Sequence, residues 1–543
     1  MFGSRWRRHI FCACGDAHGR WPAQDWANGR GIILLFNSDT FLFLFLPLVL
    51  LGFYFAKHTL GAFAAQVWLA GASIVFYASA GLDLLFPLAA SIAVNYAIGR
   101  TLSRRHERGL SVRLFLAAGI TFDLLLLGYF KYAAWFAGSL RALGAATPIF
   151  DIALPLGISF YTFTQIAFLV DAARGEAREY GIIRYVLFVT FFPHLIAGPI
   201  IHHKEMMPQF DPARLREAAF HHVPRALTLF AIGLAKKVIL ADGFANLARP
   251  VFAAAASGVN PDLIAAWGGM FSYAFQIYFD FSGYSDMALG LALMFGITLP
   301  VNFLSPYKAD SIIDFWRRWH MTLSRFLRDY LYFPLGGNRA GRLRRYANLI
   351  IVMTLGGLWH GAGWTFVLWG FVHGIYLLVN HAWRAWRTSF GLPELSKGLS
   401  RAVTFLAVAL AWVLFRADTL DAAGSIYSGL VGANGIVVTE DVLRLIGHPQ
   451  GAHLFGLLIA PLYFDQTTQW LFLGMALLGL FIANKLPNSM QLCGFAPAPD
   501  TGWRASLGFQ LAPRHAIVTG ILLFASVSVL TSGAPSEFIY YRF

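Results

Sequence analysis

Long apolar runs, separated by short polar stretches, dominate this chain. Such runs are typical of membrane-spanning helices, because a helix of about 20 apolar residues crosses the hydrocarbon core of a bilayer. The uninterrupted runs cover residues 41–56, 63–80, 84–98, 114–130, 470–483 and 516–529. Runs broken by glycine, proline or polar residues cover residues 154–170, 185–201, 227–240, 263–281 and 348–379. The pattern predicts an all-α, polytopic integral membrane protein with about 11 membrane spans or half-spans.

Composition and charge agree with a membrane setting. Of the 543 residues, 57% are hydrophobic and 13% are charged, whereas soluble domains carry about 25% charged residues. The net charge of +14 comes from basic residues that cluster in loops between the apolar runs, mainly over residues 100–113 and 317–345. This distribution follows the positive-inside rule, which places both clusters in the cytoplasm, and it argues against nucleic-acid binding.

The first 33 residues do not fit this topology. Their arginines, from Arg5 to Arg30, would lie on the outer face, and no apolar core follows the basic start before Ile32. The stretch lacks the order of a signal peptide. We expect residues 1–33 to be a non-native extension or a disordered tail, and residues 34–543 to form a single membrane domain. Cys12 and Cys14 lie too close together for a convincing metal signal, and the sequence predicts no metal site.

An aromatic and basic segment around His320 has the periodicity of one helix. Intervals of three and four residues place a set of apolar side chains on one face: Ile312, Trp316, Trp319, Leu323, Phe326 and Tyr330. His320 would border that face, beside Arg317 and Arg328. One interpretation is an interfacial helix on anionic lipid, with His320 uninvolved. The other is a donor-binding site formed by Arg317, Arg328, Trp316 and Trp319, because guanidinium groups bind phosphate oxygens in a bidentate manner.

A second histidine lies within an apolar run. His360 occurs in the sequence GGLWHGAGW, about 21 Å along a helix from Tyr346, and so well inside the membrane. An intramembrane titratable ring indicates a functional site, although a structural histidine bonded to a neighbouring carbonyl group is the alternative. Gly361 would allow a substrate to approach closely, and Trp359 and Trp364 are candidates for lining a tunnel.

Longer motifs extend this picture. They are YFDFSGYSDMA at 278–288, DFWRRWH at 314–320, DYLYFPLGGNR at 329–339 and GLWHG at 357–361. Together they resemble the membrane-bound O-acyltransferase (MBOAT) family, in its bacterial polysaccharide branch. The resemblance runs from LFNS at 35–38 to FIYYRF at 538–543. One departure is His194, where relatives usually have glutamine.

The resemblance implies a ring of helices around a thin partition that is pierced by a central tunnel. It implies that His360 and His320 are the catalytic histidines. It also implies an enzyme that passes an acetyl group from a cytoplasmic thioester, acetyl-CoA, across the bacterial inner membrane to O-acetylate an extracytoplasmic polysaccharide such as alginate. The implied partners are a periplasmic protein with an esterase fold and polysaccharide synthesis proteins, besides membrane lipid.

Acyl transfer from a thioester to a hydroxyl needs a general base. Burial disfavours the imidazolium form, so a buried histidine remains able to accept the hydroxyl proton. We therefore predict that His360 is the base and that His320 orients the donor or relays a proton. For Asp280, Asp286 and Asp314 we expect structural roles in helix pairing, with the orientation of other groups as the alternative.

The aromatic tail over residues 537–543 resembles the tail peptide of a separate small subunit in D-alanylation systems. By that resemblance Tyr540 is an acyl-carrying hydroxyl. The alternative is an aromatic anchor at the membrane interface.

Other functions remain open at the level of the sequence. Within the enzymes, the alternative is D-alanyl or other acyl transfer to a cell-envelope polymer. A solute transporter without chemistry is the alternative of a different class, since intramembrane polar residues also mark transport pathways. An inverted repeat would favour the transporter, and we find none in the sequence.

Overall fold

The computed structural model of the protein describes residues 34–177, 181–217, 222–339, 341–438, 452–454, 457–461, 467–496, 512–532 and 538–539. The amino-terminal extension that we predicted over residues 1–33 lies outside these residues, and so does Tyr540.

Helices make up most of this described part. In the amino-terminal half they are α1 (Leu46–Phe55), α2 (Ala62–Ala78), α3 (Leu85–Glu107), α4 (Arg113–Leu127), α5 (Ala133–Ala142), α6 (Ile158–Ala173), α7 (Ile182–Thr190), α8 (Phe192–Leu195), α9 (His203–Met206), α10 (Pro212–Glu217), α11 (Val223–Ala235) and α12 (Asp242–Ala256). In the carboxy-terminal half they are α13 (Leu263–Met294), α14 (Ile312–Trp316), α15 (Met321–Leu327), α16 (Arg342–His360), α17 (Trp364–Ser389), α18 (Lys397–Arg416), α19 (Leu420–Leu430), α20 (Thr467–Lys485), α21 (Ser489–Leu492) and α22 (Pro513–Thr531). Wider, π-helical stretches lie at Phe41–Phe45, Ala56–Leu60, Gly128–Tyr132, Lys236–Ala241 and Arg328–Tyr332, and 3-10 turns at Met207–Phe210 and Pro306–Lys308.

Among the described residues, 6 helical segments are long and apolar enough to cross a membrane. They are Phe41–Leu60, Leu85–Glu107, Arg113–Ala142, Trp364–Ser389, Lys397–Arg416 and Pro513–Thr531, and shorter apolar helices cover Ala62–Ala78, Ile158–Ala173 and Trp470–Lys485. The prediction of a polytopic helical membrane protein is confirmed. Our predicted runs did not include Lys397–Arg416, although residues 405–415 are apolar without interruption.

The outward faces of these spans are apolar and exposed. Leu51, Phe86, Leu114 and Phe524 each expose at least 70% of their surface. Contiguous apolar surface of this extent is costly in water and is stable against lipid tails. These faces therefore form the lipid-facing surface of the protein.

The long helix α13 forms the buried centre. Nearly every side chain from Ala266 to Met294 is buried, and α11 and α12 pack along it. We expected this helix to end near Phe281, whereas it continues for several more turns. A Cβ atom on Gly283 would meet the carbonyl oxygen of Gly233 on α11. Small residues at this crossing allow the two backbones to approach closely, as is typical of membrane helices.

Glycines also bring α16 and α17 together. A Cβ atom on Gly357 would overlap the carbonyl oxygen of Phe366, and one on Gly370 would overlap the backbone of α16 in the same way. The two helices account for the broken run at residues 348–379, and the break falls at Gly361–Gly363. The close crossing places Trp369 of α17 against the end of α16 that carries His360.

A small sheet follows α19 and falls outside the all-helical prediction. Its strands are β1 (Ile436–Val438), β2 (Ala452–Leu454) and β3 (Leu457–Pro461). The order is β1-β3-β2, with β1 parallel and β2 antiparallel to β3.

Candidate active site

His320 lies at a break between two helices. The predicted single helix over residues 312–330 is wrong, because α14 ends at Trp316 and α15 begins at Met321. His320 itself adopts a left-handed backbone conformation with φ 44° and ψ 53°. The backbone of the next residue is fixed by Asn302, whose carbonyl oxygen accepts a hydrogen bond from the Met321 N–H at 3.0 Å. A contact from a distant part of the chain thus stabilises a turn that the local periodicity does not indicate.

The side chain of Asn302 determines the tautomer of His320. The Asn302 Oδ1 atom accepts hydrogen bonds from the Thr322 N–H at 3.2 Å and from the Thr322 hydroxyl at 2.9 Å, which identifies it as the amide oxygen. The same oxygen lies 3.2 Å from His320 Nδ1. Because an amide oxygen only accepts, Nδ1 must carry the proton and donate. The lone pair of neutral His320 is therefore on Nε2, which has no hydrogen-bond partner among the described residues.

His360 is the last residue of α16, a helix of 19 residues that is about 28 Å long. The His360 ring is buried and is met edge-on by Trp369 at 5.2 Å and by Phe415 at 5.3 Å, measured between ring centroids. The ring of His320 lies 6.1 Å from it. The structure thus brings the two histidines together. The interpretation that places His320 on an interfacial helix against lipid is wrong, because its side chain is completely buried.

Lys131 is part of this site, and sequence reasoning missed it. It lies on the π-helical stretch Gly128–Tyr132, and only 8% of its surface is exposed. Its ammonium group donates to the Ser159 hydroxyl at 2.9 Å, to the Trp359 carbonyl at 2.5 Å and to the His360 carbonyl at 3.4 Å. A cation on the last carbonyls of a helix is stabilising, and this one fixes the end of α16 that carries His360. The available signal was a lysine inside an apolar stretch that continues to Ala142.

Buried polar atoms without partners line the interior beside the two histidines. Within the described part of the chain, no hydrogen bond reaches the indole N–H of Trp316, the indole N–H of Trp369 or either ring nitrogen of His373. The His373 ring meets Trp369 at 4.8 Å and Trp316 at 5.2 Å. Native proteins leave few buried polar groups unpaired, so these atoms are candidates for hydrogen bonds to a polar ligand. His373 lies between these two indole rings.

The predicted donor-binding residues divide into two groups. Arg317 and Arg328 are exposed, and the Arg328 guanidinium is paired with Asp329 at 2.7 and 3.1 Å. Trp316 is half-buried beside His373, whereas Trp319 is enclosed by other aromatic rings, with Trp412 at 5.0 Å. Only Trp316 therefore combines a position near the histidines with an unpaired polar atom.

The three residues predicted to line a tunnel, Trp359, Trp364 and Gly361, lie in different environments. Trp359 is buried and donates its indole N–H to the Ser159 carbonyl at 3.3 Å. Trp364 exposes 55% of its surface and pairs with Trp135 at 5.2 Å, which places it at the periphery. Gly361 lines a cavity of about 390 Å³.

This cavity lies at the end of α16, directly beyond His360. Its lining includes the cationic residues Lys131, Arg249 and Arg416, the acidic residue Asp418, and Ile539 from the C-terminal tail. With one acid against three bases, the charged lining is positive.

Ile539 and its neighbour Phe538 are both buried, although they follow the last span. The Phe538 ring stacks on Tyr284 at 4.5 Å with an interplanar angle of 25°. The tail segment that precedes Tyr540 therefore enters the protein interior beside the cavity.

The aspartates of the motifs form ion pairs. Asp280 pairs with Lys237 at 2.8 Å, and Asp286 pairs with Lys236 at 2.6 Å. Asp314 pairs with Arg318, one turn along the chain, at 2.9 Å. His194 is buried on α8, with its ring 6.1 Å from that of Phe191.

Tyr330, just after the end of α15, forms a polar cluster with Asp171 and His202. The Tyr330 hydroxyl donates to the Asp171 carboxylate at 2.9 Å and lies 3.0 Å from His202 Nδ1. Burial, together with the nearby Arg325 guanidinium, lowers the pKa of His202. Burial and the Asp171 carboxylate raise the pKa of Tyr330. Both groups are therefore uncharged at neutral pH.

Comparisons with known proteins agree with this geometry. Residues 90–412 match the model of the MBOAT, membrane-bound O-acyltransferase family, and so cover more than half of the chain. Over 439 residues, the chain is 42% identical to the peptidoglycan O-acetyltransferase of Helicobacter pylori, covering 75% of this chain and 81% of that protein. Over 529 residues it is 38% identical to the "Probable alginate O-acetylase AlgI" of Azotobacter vinelandii, covering 94% of this chain and 100% of that protein. It is 30% identical over 280 residues to the teichoic acid D-alanyltransferase of Streptococcus thermophilus, covering 48% of this chain and 68% of that protein.

The family match includes His320, His360 and Lys131, and the relatives extend the likeness over most of the chain. The resemblance noted from the motifs is thereby confirmed. The chain belongs to the membrane-bound O-acyltransferase family and is a multi-pass membrane O-acyltransferase.

Proposed function

We propose that this enzyme passes an acetyl group from a cytoplasmic thioester across the bacterial inner membrane for the O-acetylation of an extracytoplasmic polysaccharide. The single observation that carries the proposal is the pair of buried histidine rings 6.1 Å apart, of which His360 ends a helix whose other end is rich in arginine. A general base at this depth serves a hydroxyl from one side of the membrane and a thioester from the other.

The chemistry follows from the two rings. The acceptor hydroxyl attacks the thioester carbonyl carbon while His360 takes the hydroxyl proton. The tetrahedral intermediate then collapses, the C–S bond breaks, and the sulfur leaves as a thiol after it receives a proton from the His360 imidazolium. His320, whose Nε2 lone pair has no partner among the described residues, orients the donor or relays this proton. Lys131 holds the backbone of His360 in place during both steps.

Acetyl-CoA is the donor that fits the residues best. The unpaired polar atoms of Trp316, Trp369 and His373 offer hydrogen bonds to an extended, amide-bearing arm. Arg317, which follows Trp316, and Arg328 are both exposed. Their guanidinium groups are suited to binding the phosphates of the donor. The Asp329 carboxylate competes for Arg328, so phosphate binding there requires exchange of an ion pair.

On the other side of His360, the tail supplies the acceptor. Tyr540 directly follows Ile539, which lines the cavity at Gly361. We infer that the Tyr540 hydroxyl receives the acetyl group and presents it to a periplasmic partner with an esterase fold, which transfers it to the polymer. The names of the relatives favour an envelope polymer such as alginate or peptidoglycan.

D-alanyl transfer is the weaker alternative. The teichoic acid D-alanyltransferase covers 48% of this chain, against 94% for the alginate relative. A solute transporter without chemistry no longer fits, because the family is one of acyltransferases.

The proposal is tested with purified protein in proteoliposomes supplied with labelled acetyl-CoA on one side. The expected result is a labelled acetyl group on the peptide that contains Tyr540, absent in Tyr540→Phe and present in the control Tyr541→Phe. An adduct from D-alanyl carrier protein but none from acetyl-CoA would favour the alternative. Full polymer acetylation by Tyr540→Phe, without a tail adduct, would replace the tail step by direct transfer.

A further inference from the structure

We propose that Asp280 is a positioning residue that anchors the C-terminal tail beside the cavity at His360. The backbone N–H of Ile539 donates a hydrogen bond to Asp280 Oδ2 at 3.2 Å. The Asp280 side chain is 1% exposed, so this bond is made in the protein interior. Any effect of this anchor on catalysis rests on the proposed role of Tyr540. The anchor itself rests only on the contact between Asp280 and Ile539.

One face of α13 binds two successive tail residues. Asp280 and Tyr284 are four residues apart on this helix and therefore lie on the same face. Asp280 binds the backbone of Ile539, and the Tyr284 ring stacks on Phe538. The tail is thus held by one polar and one aromatic contact rather than by general apolar burial alone.

The charges around Asp280 differ from those of a simple helix-pairing site. Lys237 lies 2.8 Å from Asp280 Oδ1 and also 2.8 Å from the Asp242 carboxylate, so one lysine faces two acids. Lys237 binds one oxygen of Asp280 and the tail amide binds the other. The tail N–H is thus a second partner for a carboxylate whose lysine is shared with Asp242.

The neighbouring pair provides an internal comparison. Asp286 lies on the same helix, is equally buried and pairs one-to-one with Lys236, which also donates to the Ser489 hydroxyl at 3.0 Å. The backbone N–H of Ile539 donates to Asp280 and not to Asp286. The Asp286–Lys236 ion pair therefore joins helices and does not hold the tail.

Anchoring at Ile539 limits where Tyr540 can lie. Ile539, which lines the cavity, directly precedes Tyr540 in the sequence, so a tail held at Ile539 has little freedom at the next residue. A tail released from Asp280 would lose this constraint, and the Tyr540 hydroxyl would spend less time near His360.

The test measures access to the tail directly. In the full-length protein with Cys12, Cys14 and Cys493 replaced by alanine, Ile539→Cys provides a reporter thiol at a buried position. Its labelling rate with a polar maleimide is compared among the parent, Asp280→Asn and the matched control Asp286→Asn. Because a hydrogen bond to a neutral amide is weaker than one to a carboxylate, Asp280→Asn should raise the rate about tenfold, with little change in Asp286→Asn. Asp280→Glu, which keeps the charge that faces Lys237 but moves the oxygens by one methylene, serves if Asp280→Asn does not fold.

Two outcomes would overturn the anchor: equal labelling rates in the parent and in Asp280→Asn, or an equal increase in both aspartate variants. A raised rate in Asp280→Asn together with full activity of Tyr540→Phe would leave the anchor intact and refute the acyl-carrying role of the tail. The failure of the one proposal is therefore distinguishable from the failure of the other.

Discussion

The amide oxygen of Asn302 lies 3.2 Å from Nδ1 of His320, and this contact determines which nitrogen of the histidine is free to act. Asn302→Leu removes the acceptor, so His320 should lose both its tautomer and its orientation. We expect the acetylation rate to fall by a large part of the about 10²- to 10⁴-fold that a positioned acid–base group contributes. Thr322→Val is the control, because it removes the hydroxyl bond to Asn302 and the bond from the Ile200 N–H but keeps the contact between Asn302 and His320. Equal rates in the two variants would contradict the assignment.

His360→Ala should abolish acetylation, because alanine cannot accept a proton, with a loss of about 10²- to 10⁴-fold or more. The amount of protein in the membrane, measured by immunoblot, should stay near the parent level. His194→Gln is the control. It changes another buried histidine, to the residue that relatives usually have, and should keep most of the activity. If His360→Ala disappeared from the membrane instead, the ring would be a structural element.

Lys131→Met should lower both the stability of the protein and the rate of acetylation. The substitution leaves the Trp359 carbonyl without its donor, which costs about 1–3 kcal/mol in the free energy of unfolding. Thermal unfolding in detergent measures this loss, and the acetylation rate measures the displacement of His360. Tyr132→Phe is the control, because it removes a neutral hydrogen bond to the Leu358 carbonyl on the same helix and should cost about 1 kcal/mol. A smaller effect of Lys131→Met than of Tyr132→Phe would argue against the role of Lys131.

Arg317→Ala combined with Arg328→Ala should weaken donor binding. Bonds between guanidinium groups and phosphate are charge-assisted, so we expect the KM for acetyl-CoA to rise about tenfold or more, with little change in kcat. Asp329→Asn is informative in the opposite direction, because it releases Arg328 from its ion pair and should lower the KM. An unchanged KM in the double variant would assign both arginines to the lipid surface.

The sequence predicted the membrane class, the family and both histidines, because each depends on composition or on short motifs. His360 stood out since a titratable ring inside an apolar run is costly. The break at His320 was not predictable from local periodicity, because the intervals of three and four residues continue across it. The contact that creates the break comes from Asn302, and only the folded chain brings it close.

Lys131 was not predicted as part of the site, although the sequence contains a signal for it. Lys131 interrupts an apolar stretch that runs from Arg113 to Ala142, and a lysine at such depth indicates a function as strongly as His360 does. The bond from Ile539 to Asp280 is different, because it joins the end of the chain to the middle of α13. No pattern within either segment indicates that they meet.

The left-handed backbone of His320 is a local cost in folding stability that the contacts of its side chain must offset. A residue with a Cβ atom pays about 1–2 kcal/mol to adopt this conformation, whereas glycine adopts it freely. Glycine at this position would relieve the strain, but it would leave a cavity in place of a completely buried ring, and that cavity would cost more than the strain. The packing of the ring and its bond to Asn302 therefore hold the backbone in a conformation that histidine rarely adopts, and His320→Gly should lower the stability of the fold as well as remove the imidazole.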